Sequence, residues 1–439
     1  MQTNAEIGLP GGSEHRAFLR SLFDAAVSAV HPASVLPGFL PPPLPGRVVI
    51  FAAGKAGGSL AAAAEQHYIS RYGLDRRRLC GIAVARHGYG ANTRFLEMLE
   101  SGHPVPDLAG VAATERVLRL AADLREDDLA LALISGGGSA NWIAPAGKLT
   151  LAEKQTLTKQ LLRCGADISE INAVRKHLSR IKGGRLALLA AKSRLLTLAI
   201  SDVPGDDLST IASGPTVPDP TTLADARAVL AKYDIAPGAE ITRMLFDDAN
   251  ETPKPGNAAF ASSAFQIIAR PRDALAAAER EAARRGLKVI SLGADVTGEA
   301  REVAQSHAAE ARQAKAAGQP AIILSGGELT VTIKGDGRGG PNQEYALALA
   351  IALRGETGIS ALAGDTDGTD GGVGNPSDPA GAVIDETTLS RAKSAGLDPQ
   401  ACLAQNDSTG FFSRLNDLLQ TGPTLTNAND LRAILVAPR

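Results

Sequence analysis

The feature that most constrains this chain is a run of apolar residues that breaks off at glycine and then recurs. The stretches "VVIFAAG", "LALALISGGG" and "AIILSGG" each lack the polar–apolar alternation of a half-exposed strand. Such a run must be buried on both faces, and the fold that does this is a mostly parallel sheet covered by helices. Helical stretches such as "GGSLAAAAEQ" follow the runs, which gives repeated strand–glycine–helix units and an α/β fold. A polar, proline-bearing stretch, "DDANETPKPGN" at 247–257, reads as a linker. It suggests a first α/β domain over 1–250 and a second over 258–439, with the active site in a cleft between them. In the second part "LTVTIK" alternates and is expected to be a strand with one wetter face, so that sheet is expected to be mixed. Near the N-terminus, an amphipathic helix from Ser13, as N-cap, to Val30 is expected.

Charge excludes several function classes. Forty-five basic residues balance 47 acidic ones, a formal net of −2, so a nucleic-acid partner is not expected. Cys80, Cys164 and Cys402 are scattered and lack metal-site spacing. No apolar run reaches the ~20 residues of a membrane span, and the first residues do not read as a signal peptide. The expectation is a soluble cytoplasmic protein, monomeric or homodimeric, acting on small molecules.

The chemistry is expected at the ends of the apolar runs. Gly54, the group Gly136, Gly137, Gly138 and Ser139, and the group Gly326, Gly327 and Glu328 all occupy this place. Such loops expose backbone N–H groups and suit phosphate, or they serve only as tight turns. None fits the P-loop pattern. Lys55 directly follows the first run, where a cation faces either the mouth of a site or solvent.

The stretch "GDGRGGPNQE" at 335–344 can be parsed two ways. Gly335, Gly337 and Gly340 match a dinucleotide fingerprint, but the segment before them alternates where that motif needs a buried strand. The better reading is a loop whose backbone lies close to a phosphate clamped by Arg338, with Pro341 opening a helix. Asn342 and Glu344, in its first turn, are further binding candidates.

"SEINAVRKHLSRIKGG" reads as a helix capped by Ser169 and closed at Gly183, with Asn172, Arg175 and Lys176 off its apolar stripe. These either face water or hold a carboxylate or phosphates. Asp202, and Asp365, Asp367 and Asp370 in "GDTDGTD", close apolar runs. Oxygen donors there suit Mg²⁺, which keeps several waters, and single aspartates also serve as turn formers. His103 reads as a loop residue.

Taken together, "AAGKA", "GHPVPD", "LISGGGSA", "EINAVRKHLSRIKGGRLA", "SDVPGDDLSTIASGPTVPD", "LSGGELTVTIKGDGRGGPNQE", "AGDTDGTDG" and "TGPTLTNANDL" resemble the type II glycerate kinases. That family joins a Rossmann-like domain to a MOFRL domain. The resemblance implies transfer of the ATP γ-phosphoryl group to D-glycerate with Mg²⁺, giving 2-phosphoglycerate. It puts the active-site lysine on Lys55 and the arginine on Arg338. Asp202 is the expected metal ligand and candidate base, with Asp365 and Asp367 as further ligands. Two places depart from the family pattern: Asn141–Trp142, expected to shape the pocket, and Leu425, where glycine is usual. Competing readings are an NAD(P)H-dependent hydroxypyruvate reductase and a non-catalytic sugar-acid or nucleotide sensor.

Overall fold

The computed structural model describes residues 12–372 and 374–437. They form two compact units, Val35–Ile268 and a second that joins the residues up to Ser34 to those from Ala269 onward. This differs from the division expected at 250–258. The 247–257 stretch stays in the first unit, where Asn250 donates through Nδ2 to the carbonyl of Met244 at 3.2 Å and Thr252 is buried. The amphipathic helix α1 (Gly12–Val30) belongs to the second unit. Its Phe18, Leu19, Leu22, Phe23 and Ala26 are buried. Arg16 bridges Asp385 at 2.8 Å and Asp417 at 2.7 Å, which pins its first turns there. The expected capping side chain of Ser13 lies outside the described residues.

In the first unit, β1 (Val48–Ala53), β2 (Leu79–Arg86), β3 (Glu97–Ser101), β4 (Leu129–Ile134), β5 (Arg194–Ile200) and β6 (Ser263–Ala269) form one sheet in the order β3-β2-β1-β4-β5-β6. The pairs from β3 through β5 are parallel. All six residues of β1 and of β4 are buried, as their unbroken apolar runs require. Each fully buried Val, Leu, Ile or Phe contributes about 1.5–3 kcal/mol. Helices α2 (Gly57–Tyr72), α3 (Leu108–Ala122), α4 (Gly138–Asn141), α5 (Leu151–Arg163) and α6 (Ile168–His177) complete the parts that matter for the site. The strand order runs outward from β1 to β3, then jumps back to β4 on the other side of β1. Sheets of this doubly wound, Rossmann-like type bind ligands at such a reversal, beyond the carboxyl ends of the strands.

Helix α6 is shorter than its sequence suggested. Its N-cap is Asp167 rather than Ser169, because the Asp167 carboxylate accepts the N–H groups of Ser169 and Glu170, both at 2.9 Å. It ends at Leu178, well before Gly183.

The second unit holds β7 (Lys288–Ser291), β8 (Ala321–Ser325), β9 (Ile359–Asp365), β10 (Gly381–Ile384), β11 (Leu418–Leu419) and β12 (Asp430–Val436) in the order β11-β10-β9-β12-β8-β7. Strand β12 runs antiparallel to both β8 and β9, whereas β7 and β8 are parallel, so the sheet is mixed. Helices α7 (Pro271–Arg284), α8 (Ala300–Ala316), α9 (Pro341–Leu353) and α10 (Ser408–Leu415) pack around it. The source of the mixing is not the expected one: "LTVTIK" makes only an isolated bridge, Thr330 to Glu299. Side chains satisfy its backbone instead. Glu299 accepts from the Thr332 N–H at 3.0 Å, and Asn406 Oδ1 accepts from Lys334 and Gly335 at 2.8 and 3.0 Å. Among the described residues no helix is long and apolar enough to cross a membrane.

Candidate functional site

The loops after β1 and β4 lie side by side at the reversal of the first sheet. The Lys55 N–H donates to the carbonyl of Gly136 at 2.8 Å, and the Ala56 N–H to Ser135 Oγ at 2.9 Å. Their approach is the reason for Gly54: its φ is 108°, and a Cβ there would lie 2.4 Å from Ser135 Oγ. Gly137 has φ 82°, and a Cβ on it would meet the His103 ring at 2.9 Å and Lys55 Cγ at 3.3 Å. His103, a loop residue on sequence grounds, therefore belongs with Lys55 and the triple-glycine turn.

Beneath that turn runs a polar chain. Ser139 Oγ is 2.7 Å from Ser213 Oγ, and Ser213 Oγ donates to Asn172 Oδ1 at 3.1 Å. Asn172 is buried and supports the loop through Ser213. Lys176 is buried too, but it faces Asp219, with Nζ 3.3 Å from Oδ1, and it does not line the neighbouring cavity. Arg175 does line it.

That cavity, of about 390 Å³, is enclosed by the 103–106 loop, Gly137, Ser139, α5 and α6. Four basic side chains line it: Lys159, which is exposed, and Lys154, Arg175 and Lys182 deeper in. Lys154 Nζ donates to the carbonyls of Leu178 at 2.5 Å and Arg175 at 3.3 Å. Lys182 Nζ donates to the carbonyls of Ser139 at 2.7 Å and Trp142 at 2.8 Å. Burial, reinforced by Arg175 and Arg185, lowers the Lys154 ammonium to about 7. Burial, then Lys154 and Arg175, hold Lys182 well below the usual lysine value.

Sequence reasoning missed Lys154 and Lys182, although a signal for the former exists. Lys154, Leu157 and Leu161 are the buried positions of α5, so a lysine stands on the helix's apolar stripe at a spacing of three and seven. Asn141 and Trp142 do not shape the cavity as expected. Asn141 donates through Nδ2 to Ser101 Oγ at 2.9 Å, and Trp142 is packed in the core, leaving its carbonyl for Lys182. Asp202 stands just beyond β5, at the carboxyl edge of the same sheet.

The second unit has its own cluster at the strand ends. The glycines of the 335–340 turn are filled by their own chain. A Cβ on Gly335 would lie 2.5 Å from the Gln405 Cα, one on Gly337 2.5 Å from the Asp407 Cβ, and one on Gly340 2.4 Å from the backbone of Asp370. The expected phosphate approach therefore does not explain them, and the dinucleotide parse has neither its preceding strand nor open glycines. Arg338 is nonetheless held out. Its N–H donates to Asp407 at 3.3 Å and its carbonyl accepts from Thr409 at 2.8 Å, while its side chain is 73% exposed. The nearest carboxylate oxygen to its guanidinium, on Asp378, is 3.9 Å away.

Asn342 and Glu344 turn inward. Asn342 donates to Asp430 at 2.7 Å, and Glu344 pairs with Arg301 at 2.6 Å and accepts from Asn406 at 2.9 Å. Asp370 caps α9, taking the N–H groups of Asn342 and Gln343 at 2.9 and 2.8 Å and both their side-chain amides. Burial, opposed by those N–H groups and reinforced by Asp430, pushes the Asp370 carboxyl up to about 7. Asp367 accepts from Thr369, and Asp365 accepts from the Asp367 N–H at 2.8 Å. Gly326 and Gly327 follow β8, where a Cβ would strike Ala294 and Val296, and Glu328 beside them is exposed.

Among the described residues no three His, Cys, Asp or Glu groups gather to hold a metal by themselves. Mg²⁺ does not need such a cage, since it is commonly held by one or two carboxylates together with phosphate and water. Asp202, Asp365 and Asp367 carry hard oxygens of the kind Mg²⁺ takes, whereas both Asp370 oxygens are committed to the first turn of α9.

Comparison with known proteins yields two family matches and close full-length relatives. Residues 18–245 match the domain of unknown function DUF4147, and residues 321–430 match the MOFRL family. The chain is 47% identical over 427 residues to an Agrobacterium vitis protein provisionally named hydroxypyruvate reductase, covering 96% of this chain and 94% of the other. It is 38% identical over 411 residues to the D-glycerate 2-kinase of Thermotoga maritima, covering 92% and 94%. A crystal structure of glycerate kinase from Thermotoga maritima superposes with a TM-score of 0.84 at 36% identity, covering 97% of this chain and all of that one.

Proposed function

This chain belongs to the family that joins a DUF4147 domain to a MOFRL domain, the family of the glycerate kinases, and from that premise we propose that it transfers the γ-phosphoryl group of ATP to the 2-hydroxyl of D-glycerate. The observation that carries the reading is the placement of Lys55. It stands on the loop after β1, at the reversal of strand order, packed against Gly137 and within reach of a cation-lined cavity. Phosphoryl transfer depends mainly on positioning and on offsetting charge in the transition state. Lys55 supplies a compact ammonium for an equatorial oxygen of the transferring group. Arg338, on an exposed turn with a rigidly bonded backbone, supplies a forked donor to the transferring group. Backbone N–H groups of the triple-glycine turn add donors without side-chain reorganisation. Asp202 takes the proton of the attacking hydroxyl. Asp202, Asp365 and Asp367 are the residues that would hold Mg²⁺, which when bound offsets charge on the phosphates.

The name of the Agrobacterium relative favours a second reading, reduction of hydroxypyruvate. Its only sequence support was the 335–340 glycine pattern, whose glycines are occupied by the chain itself. One experiment separates the two. The purified protein is given ATP and D-glycerate, the product isomer is assigned by phosphorus NMR, and a parallel sample receives hydroxypyruvate and NADH. 2-Phosphoglycerate with no NADH oxidation is expected; 3-phosphoglycerate or NADH consumption overturns the proposal.

A further inference from the structure

The cavity of the first unit has walls and a floor of different chemistry. Its mouth carries Val105 and Leu162, 54% and 59% exposed, with Pro104, Pro106 and Ile143 also lining it. Large apolar side chains left in water around a concave site mark a binding surface more often than a monomer's ordinary skin. The floor carries Lys154, Arg175 and Lys182, and none of them pairs with a carboxylate among the described residues. The two ammoniums each give two N–H groups to carbonyl oxygens, which leaves one apiece. Neutral carbonyls do not balance charge, and the Arg175 guanidinium makes no hydrogen bond or ion pair with the described residues. Burying cations without counter-charge is costly unless something else supplies the anion.

Size and polarity narrow the ligand. At about 390 Å³ the cavity is within the range of small-molecule pockets, and it is far larger than a three-carbon hydroxy acid needs. A molecule with a hydroxyl or carboxylate oxygen on each carbon has no use for walls of proline, valine, isoleucine and leucine. A nucleoside polyphosphate matches both halves, with its flat base against the apolar mouth and its phosphates on the cations. The position of Gly137 between this cavity and Lys55 then directs the chain of phosphates toward the reacting end.

We infer that this cavity, wholly within the first unit, is the nucleotide site, with Arg175, Lys154 and Lys182 as its phosphate-binding floor and Val105 and Leu162 as its base-binding mouth. The inference rests on the kinase reading for its purpose, but its test does not. ADP is titrated calorimetrically into wild type, Arg175→Gln and Leu162→Glu, and the KM values for ATP and D-glycerate are measured for each. Arg175 is only partly buried and Leu162 is exposed, so both variants are expected to fold; thermal unfolding checks this. Both are expected to weaken ADP binding at least 10-fold and to raise the KM for ATP in parallel, with the KM for glycerate within about twofold of wild type. Arg175→Lys is expected to recover part of the loss. ADP affinity unchanged in both variants overturns the assignment, as does a rise confined to the KM for glycerate, which would give the cavity to the acid instead. Tight ADP binding by a wild type that phosphorylates nothing would sink the kinase reading while leaving the site standing.

Discussion

The two units gather charged side chains of opposite sign and treat them differently. In the second unit the buried carboxylates are matched within the fold. Asp370 receives four donors from Asn342 and Gln343, Asp430 receives Asn342 and pairs with Arg432 at 2.9 Å, and Glu344 pairs with Arg301. In the first unit Lys154, Arg175 and Lys182 are gathered without a carboxylate among them. A charge satisfied by its own chain holds the fold together. A charge left with only carbonyl oxygens depresses stability and keeps affinity in reserve for an anion from outside. The contrast separates the structural half of the chemistry-bearing residues from the half available to a ligand, which residue type alone does not do.

The largest effect that would break this contrast is on turnover. On the proposed mechanism Lys55→Ala and Arg338→Ala each remove a cation from the transferring group, and a loss of about 10²–10³ in kcat is expected for each. ADP release in a coupled assay measures it. Because the Arg338 side chain is mostly exposed, its removal is expected to leave thermal unfolding unchanged. A variant within about threefold of wild-type kcat removes that residue from the mechanism.

Next in size is the internal matching of the second unit. Asp370→Asn places an amide donor against the N–H groups that open α9 and strands at least one of them in the interior. Each orphaned buried group costs about 1–3 kcal/mol, so a clear fall in the denaturation midpoint is expected. An unchanged midpoint would mean that Asp370 is not structural and returns it to the list of metal ligands.

The strain assigned to the first unit has a pH signature. Folded Lys154 titrates at about 7 against 10.5 for the ordinary side chain. Between those values the unfolded chain binds more protons than the folded one, so stability rises with pH across that window. Below about pH 7 both states hold the proton, and the cost of burying the charge is fully felt. In Lys154→Met this contribution is absent, and the curve of Tm against pH between 7 and 10 is expected to be flatter by close to one proton. Parallel curves would show that the ammonium is solvated and the contrast with the second unit overstated.

The smallest effect concerns Leu425, which has φ 60°. A leucine held in the left-handed region is strained by about 1 kcal/mol or more. Glycine relieves that but loses about 0.4–1 kcal/mol through the freer unfolded chain. Leu425→Gly is therefore expected to raise stability by a few tenths of a kcal/mol, read as a small upward shift of Tm. A fall would show that the leucine side chain contributes packing worth more than its strain.

Much of the fold was legible because burial on two faces leaves an unmistakable trace. "VVIFAA" and "LALALI" could only be central strands, and the glycines after them marked the edge where the site forms. Lys55 was legible for the same reason: it ends such a run. Alternation was less reliable. "LTVTIK" has the period of a strand, yet Glu299 and Asn406 take its backbone bonds and no ladder forms. The fates of Arg175 and Lys176 show the limit at the site itself. The two are adjacent in sequence and of the same charge, but one lines a cavity and the other is held by Asp219.

By itself, then, the order of residues determined the class of the doubly buried strands and the main helices, the carboxyl-edge position of the glycine loops and the absence of an excess charge that would call for a polyanion. Those properties are local or additive, so they can be read one window at a time. The tertiary structure alone decided which sheet α1 joins, which glycines are occupied by their own chain, and which of the buried ionic groups have a partner. Each of these depends on a contact between segments far apart in sequence, such as Gly340 with Asp370, Arg16 with Asp417 or Lys182 with the carbonyl of Ser139. No local pattern encodes the other half of such a pair.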